Sequence, residues 1–176
     1  FHGFGFNNTQ KAFTKWFYLT LEKITATIST ALVFVSQANR DTAAQEGIGT
    51  DDRFRLIRSG IPLNAVKKEA ETTDGARLKK SLGLTEQTKI VTTVGPFKPQ
   101  KNIPDFLAVA KAVLINNPDV HFLIVGDGAQ RPLLEKTIRA LRIESHAHLL
   151  GWRNDIPSLL SITDVFVLTS LQFLRE

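Results

Sequence analysis

The sequence has no cysteine and no methionine, and its 176 residues include one tyrosine and two tryptophans. The missing cysteine excludes a disulfide framework, a thiolate nucleophile and a cysteine-ligated metal site. No apolar run approaches the roughly 18 residues that a bilayer-spanning helix needs. Long single-sign charge blocks are missing too. Arg53, Arg55 and Arg58 stand at strand spacing, and Lys67-Lys68 and Lys79-Lys80 are isolated pairs. The formal net charge of +5 fits anionic partners such as nucleotides, acidic lipid or nucleic acid. Charges scattered in this way are mostly solvated faces, so nucleic acid is not expected as a partner. A chain that lacks methionine, opens on Phe1 and ends at Glu176, six residues past an apolar strand, reads as a piece of a longer one, because a parallel strand needs both faces covered. The Asn7-Asn8-Thr9 sequon, with no secretory signal before it, is taken as chance.

What is present is a rhythm of apolar patterns. Over residues 10–28, Phe13, Phe17, Leu21, Ile24 and Ile28 recur at intervals of three and four, the stripe of an amphipathic helix. Lys11, Lys15 and Lys23 lie off that stripe. Packing on a sheet is the expectation for such a helix, with contact to an anionic membrane surface as the alternative. A short strand at 31–35 ends at Ser36, which is placed to cap a helix over 37–46, and a second strand follows at 54–57. Ser59-Gly60-Ile61-Pro62 breaks the pattern, and residues 63–88 read as polar linker with one short helix near 76–82. From residue 89 the order is regular: strands at 89–94, 121–125, 148–150 and 165–170 alternate with helices at 103–115, from Pro132 onward, and 155–162. Such alternation predicts an α/β fold with parallel, doubly wound sheets and right-handed crossovers.

Three of these strands run straight into glycine, at Gly95, Gly126 and Gly151. Ligands of open parallel sheets lie at the carboxyl ends of the strands, where glycine lets a phosphate approach the main chain. The first exit continues as Val-Gly-Pro-Phe-Lys-Pro-Gln-Lys-Asn, residues 94–102. Its two lysines, Lys98 and Lys101, and Asn102, placed to cap the next helix, are anion-binding equipment. A solvated loop explains the same nine residues equally well. The second exit, Gly126-Asp127-Gly128, lacks the third glycine of a dinucleotide fingerprint. Trp152 and Arg153 follow the third exit, where they either flank a nucleobase or pack as ordinary surface residues.

The collinear set of these features resembles the retaining glycosyltransferases of family four, which are built from two Rossmann-like domains in the GT-B architecture. The matching residues are His2-Gly3-Phe4, residues 31–36, Ser59-Gly60-Ile61, the 94–102 loop, Val125-Gly126-Asp127-Gly128, Leu150-Gly151-Trp152-Arg153 with Asp155-Ile156-Pro157, and Asp164-Val165-Phe166-Val167-Leu168.

The resemblance implies transfer of a sugar, with retention of configuration, from a nucleotide-diphosphate donor, a UDP-sugar, to a sugar, lipid or polysaccharide acceptor. It also implies Lys101 on the diphosphate and His2 on the sugar and acceptor side as catalytic residues. Gly95, Lys98, Gly126, Asp127, Gly128, Trp152 and Arg153 would then line the donor site, and Gly3, Ser59 and Gly60 the acceptor side. No metal or cofactor is expected. Pro96 stands where many members carry arginine, so part of the diphosphate clamp is either missing or supplied by Lys98. Members continue past the last strand into a helix with two glutamates, whereas this sequence ends at Leu171-Gln172-Phe173-Leu174-Arg175-Glu176. The expected organisation is therefore two incomplete domains, 1–62 on the acceptor side and 89–176 on the donor side, joined by 63–88 and inactive alone. A cytoplasmic location, with peripheral membrane contact, goes with that reading. A non-catalytic nucleotide-binding or interaction module is the alternative.

Overall fold

A computed structural model describes residue 1, residues 3–6 and residues 10–171, which form two compact units, Phe1–Ile61 and Pro62–Glu176. The first unit contains α1 (Ala12–Ile28), β1 (Leu32–Phe34), α2 (Gln37–Glu46) and β2 (Phe54–Leu56), with β1 and β2 paired in parallel. Ser36 accepts the Asn39 amide and Gly47 closes α2 in the left-handed conformation, so the cap residues set both ends of this helix. The core is aromatic: Phe34 is fully buried, stacks with Phe1 and meets Phe54 edge-on at 5.0 Å. Arg53 is not a solvated charge. Its guanidinium donates to the carbonyls of Thr27 and Ser29 at the carboxyl end of α1, where a cation is favoured.

The apolar stripe of α1 is not packed on the sheet as expected. Ala26 is the buried residue, with Leu19 partly buried beside it, while Phe13, Phe17, Ile24 and Ile28 on the stripe are at least half exposed. Helical periodicity identifies an apolar face without saying which face a neighbour covers. Here the small Ala26 permits the close approach and turns the large side chains outward. No helix among the described residues is long and apolar enough to cross a membrane.

In the second unit α3 (Leu63–Thr72) and α4 (Gly75–Ser81) precede β3 (Lys89–Val94), α5 (Ile103–Leu114), β4 (Val120–Val125), α6 (Arg131–Leu141), β5 (Ala147–Gly151), α7 (Ile156–Ser161) and β6 (Val165–Phe166). Residues 63–81 are thus largely helical. Asp74 caps α4 by accepting the Arg77 amide, and Thr73 and Glu69 bond Ser158 on α7. The four strands are parallel in the order β5-β4-β3-β6. Alternation along β4 sends Phe122 and Ile124 into a core with α5 and α6, and Leu123 and Val125 into a second core with Leu84, Leu159 and Ile162. Each such side chain contributes roughly 1.5–3 kcal/mol by burial. Both faces are covered over β3, β4 and β5, as a parallel sheet requires, whereas Val165 and Phe166 on β6 are about half exposed.

The 165–170 run forms a shorter strand than its apolar character predicts. Only β6 lies in the ladder, anchored by Asp164, whose carboxylate accepts Lys89 Nζ at 2.8 Å and the Ile90 amide at 2.9 Å. These bonds hold the Asp164 carboxyl below its ordinary range. Residues beyond Val167 leave the ladder to reach the loop after β3.

Across the β4–β5 pair, His121 Nδ1 meets His148 Nε2 at 2.9 Å with the two rings stacked, and the His146 ring lies tilted against His121 at 5.0 Å. Burial depresses both His121 and His148 below the ordinary value of 6.5. The neighbouring imidazoles add to this, and Asp119 opposes it at His121. A depressed histidine binds fewer protons folded than unfolded, so stability is complete above about pH 6.5 and falls as pH drops through 6.5 toward the folded value. Thermal unfolding across pH 7.5 to 5 should show this loss. His148→Gln should flatten it; an unaltered slope would clear the cluster of responsibility.

Candidate functional site

The strand order reverses at β3: the chain moves out through β4 and β5, then returns to add β6 on the other side. Open sheets of this kind open a crevice beyond the carboxyl ends of the strands at that reversal. The loop that fills this position is residues 95–102. Lys101 lies in a 3-10 turn, Pro99–Lys101, and its aliphatic stem runs beside Gly95: a Cβ on Gly95 would meet Lys101 Cδ and Cε at 3.7 Å. Lys98 is exposed and Lys101 half-buried. Phe97 is fully buried in the α5–α6 core, so an aromatic anchor pins the loop directly before Lys98.

The loop is also tied on both sides. Gly95 N–H donates to the Val125 carbonyl and Phe97 N–H to the Asp127 carbonyl, both at 2.9 Å, while Gln130 N–H returns to Phe97 at 3.3 Å. From the β6 side Thr169 Oγ1 donates to the carbonyls of Lys101 and Asn102, and Leu171 N–H to Gln100. Asn102 does not cap α5 as expected. It adopts the left-handed conformation and its amide donates to Asp105 instead.

The structure brings Gly95, Gly126 and Gly151 to one edge. Gly126 N–H donates to the Gly151 carbonyl at 2.9 Å, and Gly126 packs on the Gly95 carbonyl. Gly128 packs on Phe97. Asp127 is engaged within its own loop: its carboxylate accepts the Gly128 amide at 2.7 Å and Arg131 Nη1 at 3.0 Å. Arg153 forms a bidentate pair with Asp155, at 2.8 and 2.6 Å, which raises the guanidinium and lowers the carboxyl from their ordinary values. Trp152 beside it is 70% exposed. Gly3, Ser59 and Gly60 belong to the first unit, and no other described residue comes within 4 Å of where a Cβ on Gly3 or Gly60 would stand. His2 lies outside the described residues.

Sequence reading missed Phe97, Arg131 and Thr169. Arg131 stands four residues after Asp127, an ion-pair spacing on a helix, and was legible; burial of Phe97 depends on distant residues and was not. Two concavities of about 390 and 510 Å³ lie elsewhere, against α4 and the amino-terminal ends of the strands, with Lys79 and Asp164 in the first and Arg77 and Lys80 in the second. Neither carries the convergent cation, glycine exits and strand-order reversal of the β3 edge. Among the described residues no group of three or more His, Asp or Glu is placed to hold a metal ion.

Comparison with known proteins identifies the family and the fold. The family model for glycosyl transferases group 1 matches residues 74–176. An Escherichia coli relative, UDP-Gal:alpha-D-GlcNAc-diphosphoundecaprenol alpha-1,3-galactosyltransferase, is 36% identical over 97% of this chain, which spans 44% of that protein's length. Alpha-monoglucosyldiacylglycerol synthase of Acholeplasma laidlawii is 28% identical over 66% of the chain and 30% of its own length. Among solved structures, Anabaena HepE in complex with UDP shares the fold with a TM-score of 0.70 and 22% identity, over 95% of this chain and 45% of HepE. With its α/β units, its parallel sheets and this match across more than half its length, the chain belongs to the group 1 glycosyl transferases.

Proposed function

We propose that this chain forms part of a retaining glycosyltransferase that moves a sugar from a UDP-sugar to a lipid-borne acceptor, and that Pro62–Glu176 holds the donor. The observation that carries the reading is the position of Lys101, beside Gly95 at the point where the strand order reverses. Breaking the bond between the anomeric carbon and the diphosphate builds negative charge on the leaving oxygen. An ammonium held in place before the reaction opposes that charge without reorganising. Lys98 is the second cation, standing in for the arginine that Pro96 replaces. Because the lysines supply the positive charge, the reading needs no metal or cofactor. Phe1–Ile61, with Gly3, Ser59, Gly60 and His2, is assigned to the acceptor side.

The lipid character of the acceptor rests on two relatives, whose names carry a diphosphoundecaprenol and a diacylglycerol. The outward apolar and aromatic face of α1, bearing Phe13, Trp16, Phe17 and Ile24, suits the surface of a bilayer that holds such an acceptor. The natural protein that carries this sequence, incubated with UDP-sugars and with diphosphoundecaprenol-linked sugar in phosphatidylglycerol vesicles, should form an α-linked product and sediment with the vesicles. A β-linked product would remove retention, and no transfer with UDP binding intact would favour a non-catalytic nucleotide-binding module.

A further inference from the structure

Asp127 presents a difficulty that the donor-site reading does not resolve. Its carbonyl is bonded to the amide of Phe97, the residue before Lys98, so a carboxylate stands beside a loop assigned to bind a diphosphate. Left uncompensated, that charge would repel the ligand. The structure supplies the compensation from α6. Arg131 Nη1 bonds Asp127 at 3.0 Å and its Nε bonds Glu135 at 3.0 Å, and each of the three side chains is a third to two-fifths exposed.

We propose that Arg131 is a positioning residue for donor binding that cancels the Asp127 charge at the mouth of the diphosphate site while leaving Asp127 to shape the loop. The proposal rests on the reading of the 95–102 loop as a diphosphate site. The two functions of Asp127 are separable in the structure. One oxygen accepts the Gly128 amide and fixes the glycine turn, whereas the other faces Arg131. An asparagine would keep the first bond and carry no charge. The three side chains of Asp127, Arg131 and Glu135 have a net charge of −1. Removing Arg131 makes it −2, and converting Asp127 to asparagine in the same molecule returns it to −1.

The test is the dissociation constant of UDP, measured by calorimetry on the natural protein and its variants at low and high salt. Arg131→Ala should weaken UDP about tenfold at low ionic strength, an effect of one uncancelled charge within several ångströms of a polyanion. The loss should shrink toward 0.5 M salt, because exposed charges are screened there. The double variant Arg131→Ala with Asp127→Asn should bind within about threefold of the unsubstituted protein, as the restored charge requires. A purely structural role for Arg131 predicts the opposite, since the double variant would lose the same contact and bind no better than the single one; that result overturns the proposal. So does unchanged binding in Arg131→Ala when Lys101→Ala weakens UDP. If the unsubstituted protein does not bind UDP, or Lys101→Ala leaves binding intact, the diphosphate reading itself falls and this inference with it.

Discussion

Lys101→Ala is expected to lower kcat about a hundredfold in the natural protein while moving its melting temperature by only a few degrees. The rate effect follows from losing one fixed cation opposite charge that develops in the transition state, a loss on the order of 3 kcal/mol, or about two decades. The small stability effect follows from what the side chain touches. Its stem covers the Gly95 exit at ordinary contact distance, and the side chain is half-buried rather than part of either core. The loop itself is held by other atoms, namely Phe97 in the core, the Lys98 and Pro99 carbonyls within the turn, and Thr169 across from β6. Truncating Lys101 therefore removes a charge without releasing the backbone that carried it. Lys98 is exposed and has no such seat beside a strand end. Lys98→Ala should cost less, with the deficit appearing in donor KM more than in kcat. Turnover and thermal unfolding of both variants check this. Unchanged turnover in Lys101→Ala would return the 95–102 loop to a solvated connection.

The regular part of the second unit was readable because its strands are largely apolar, three of them end on glycine, and its helices open on proline or a polar cap. Lys89–Val94 and Gln37–Glu46 fall where the residue pattern places them. The failures have separate causes. Leu63–Thr72 carries too few apolar residues to announce a helix, and its place is set by bonding to α7, which is distant in sequence. Val165–Phe166 stops short because the chain turns off to bond Gln100, Lys101 and Asn102, a tertiary demand that no local pattern records. Within the candidate site, glycine, lysine and the strand exits were legible. The internal pairing of Asp127 and of Arg153 was not. Both face a partner within four residues, and such local pairing competes with any outside ligand for the same atoms. Charge in a motif does not say where the charge is directed.

The three strand-exit glycines, alike in sequence, differ in what requires them, and Gly126→Ala should show it. A Cβ at Gly126 would stand 2.0 Å from the Gly95 carbonyl oxygen and 2.9 Å from its carbon, both backbone atoms. Gly95 cannot yield easily, because its N–H is bonded to the Val125 carbonyl and the Phe97 amide just beyond is bonded to Asp127. Residue 126 also has φ of +131°, which side chains rarely adopt. Backbone strain and overpacking each cost on the order of 1–3 kcal/mol, so Gly126→Ala should lose about 4 kcal/mol. For a chain of this length that is about 10 °C in melting temperature. Gly151→Ala meets no described atom within 4 Å and bears only the strain of φ +70°, about 1 kcal/mol. Gly95→Ala has neither clash nor strain: its Cβ would rest at 3.7 Å against the Lys101 stem, and its melting temperature should stay near that of the unsubstituted protein. Its effect should appear instead in UDP affinity, since the added methyl stands where the donor is proposed to approach Lys101. Melting curves and UDP titrations of the three variants separate a glycine demanded by backbone crowding from one demanded by ligand access. Equal melting temperatures for Gly126→Ala and Gly95→Ala would show that the contact between the two loops yields, and that the interlock does not hold Lys101 in place.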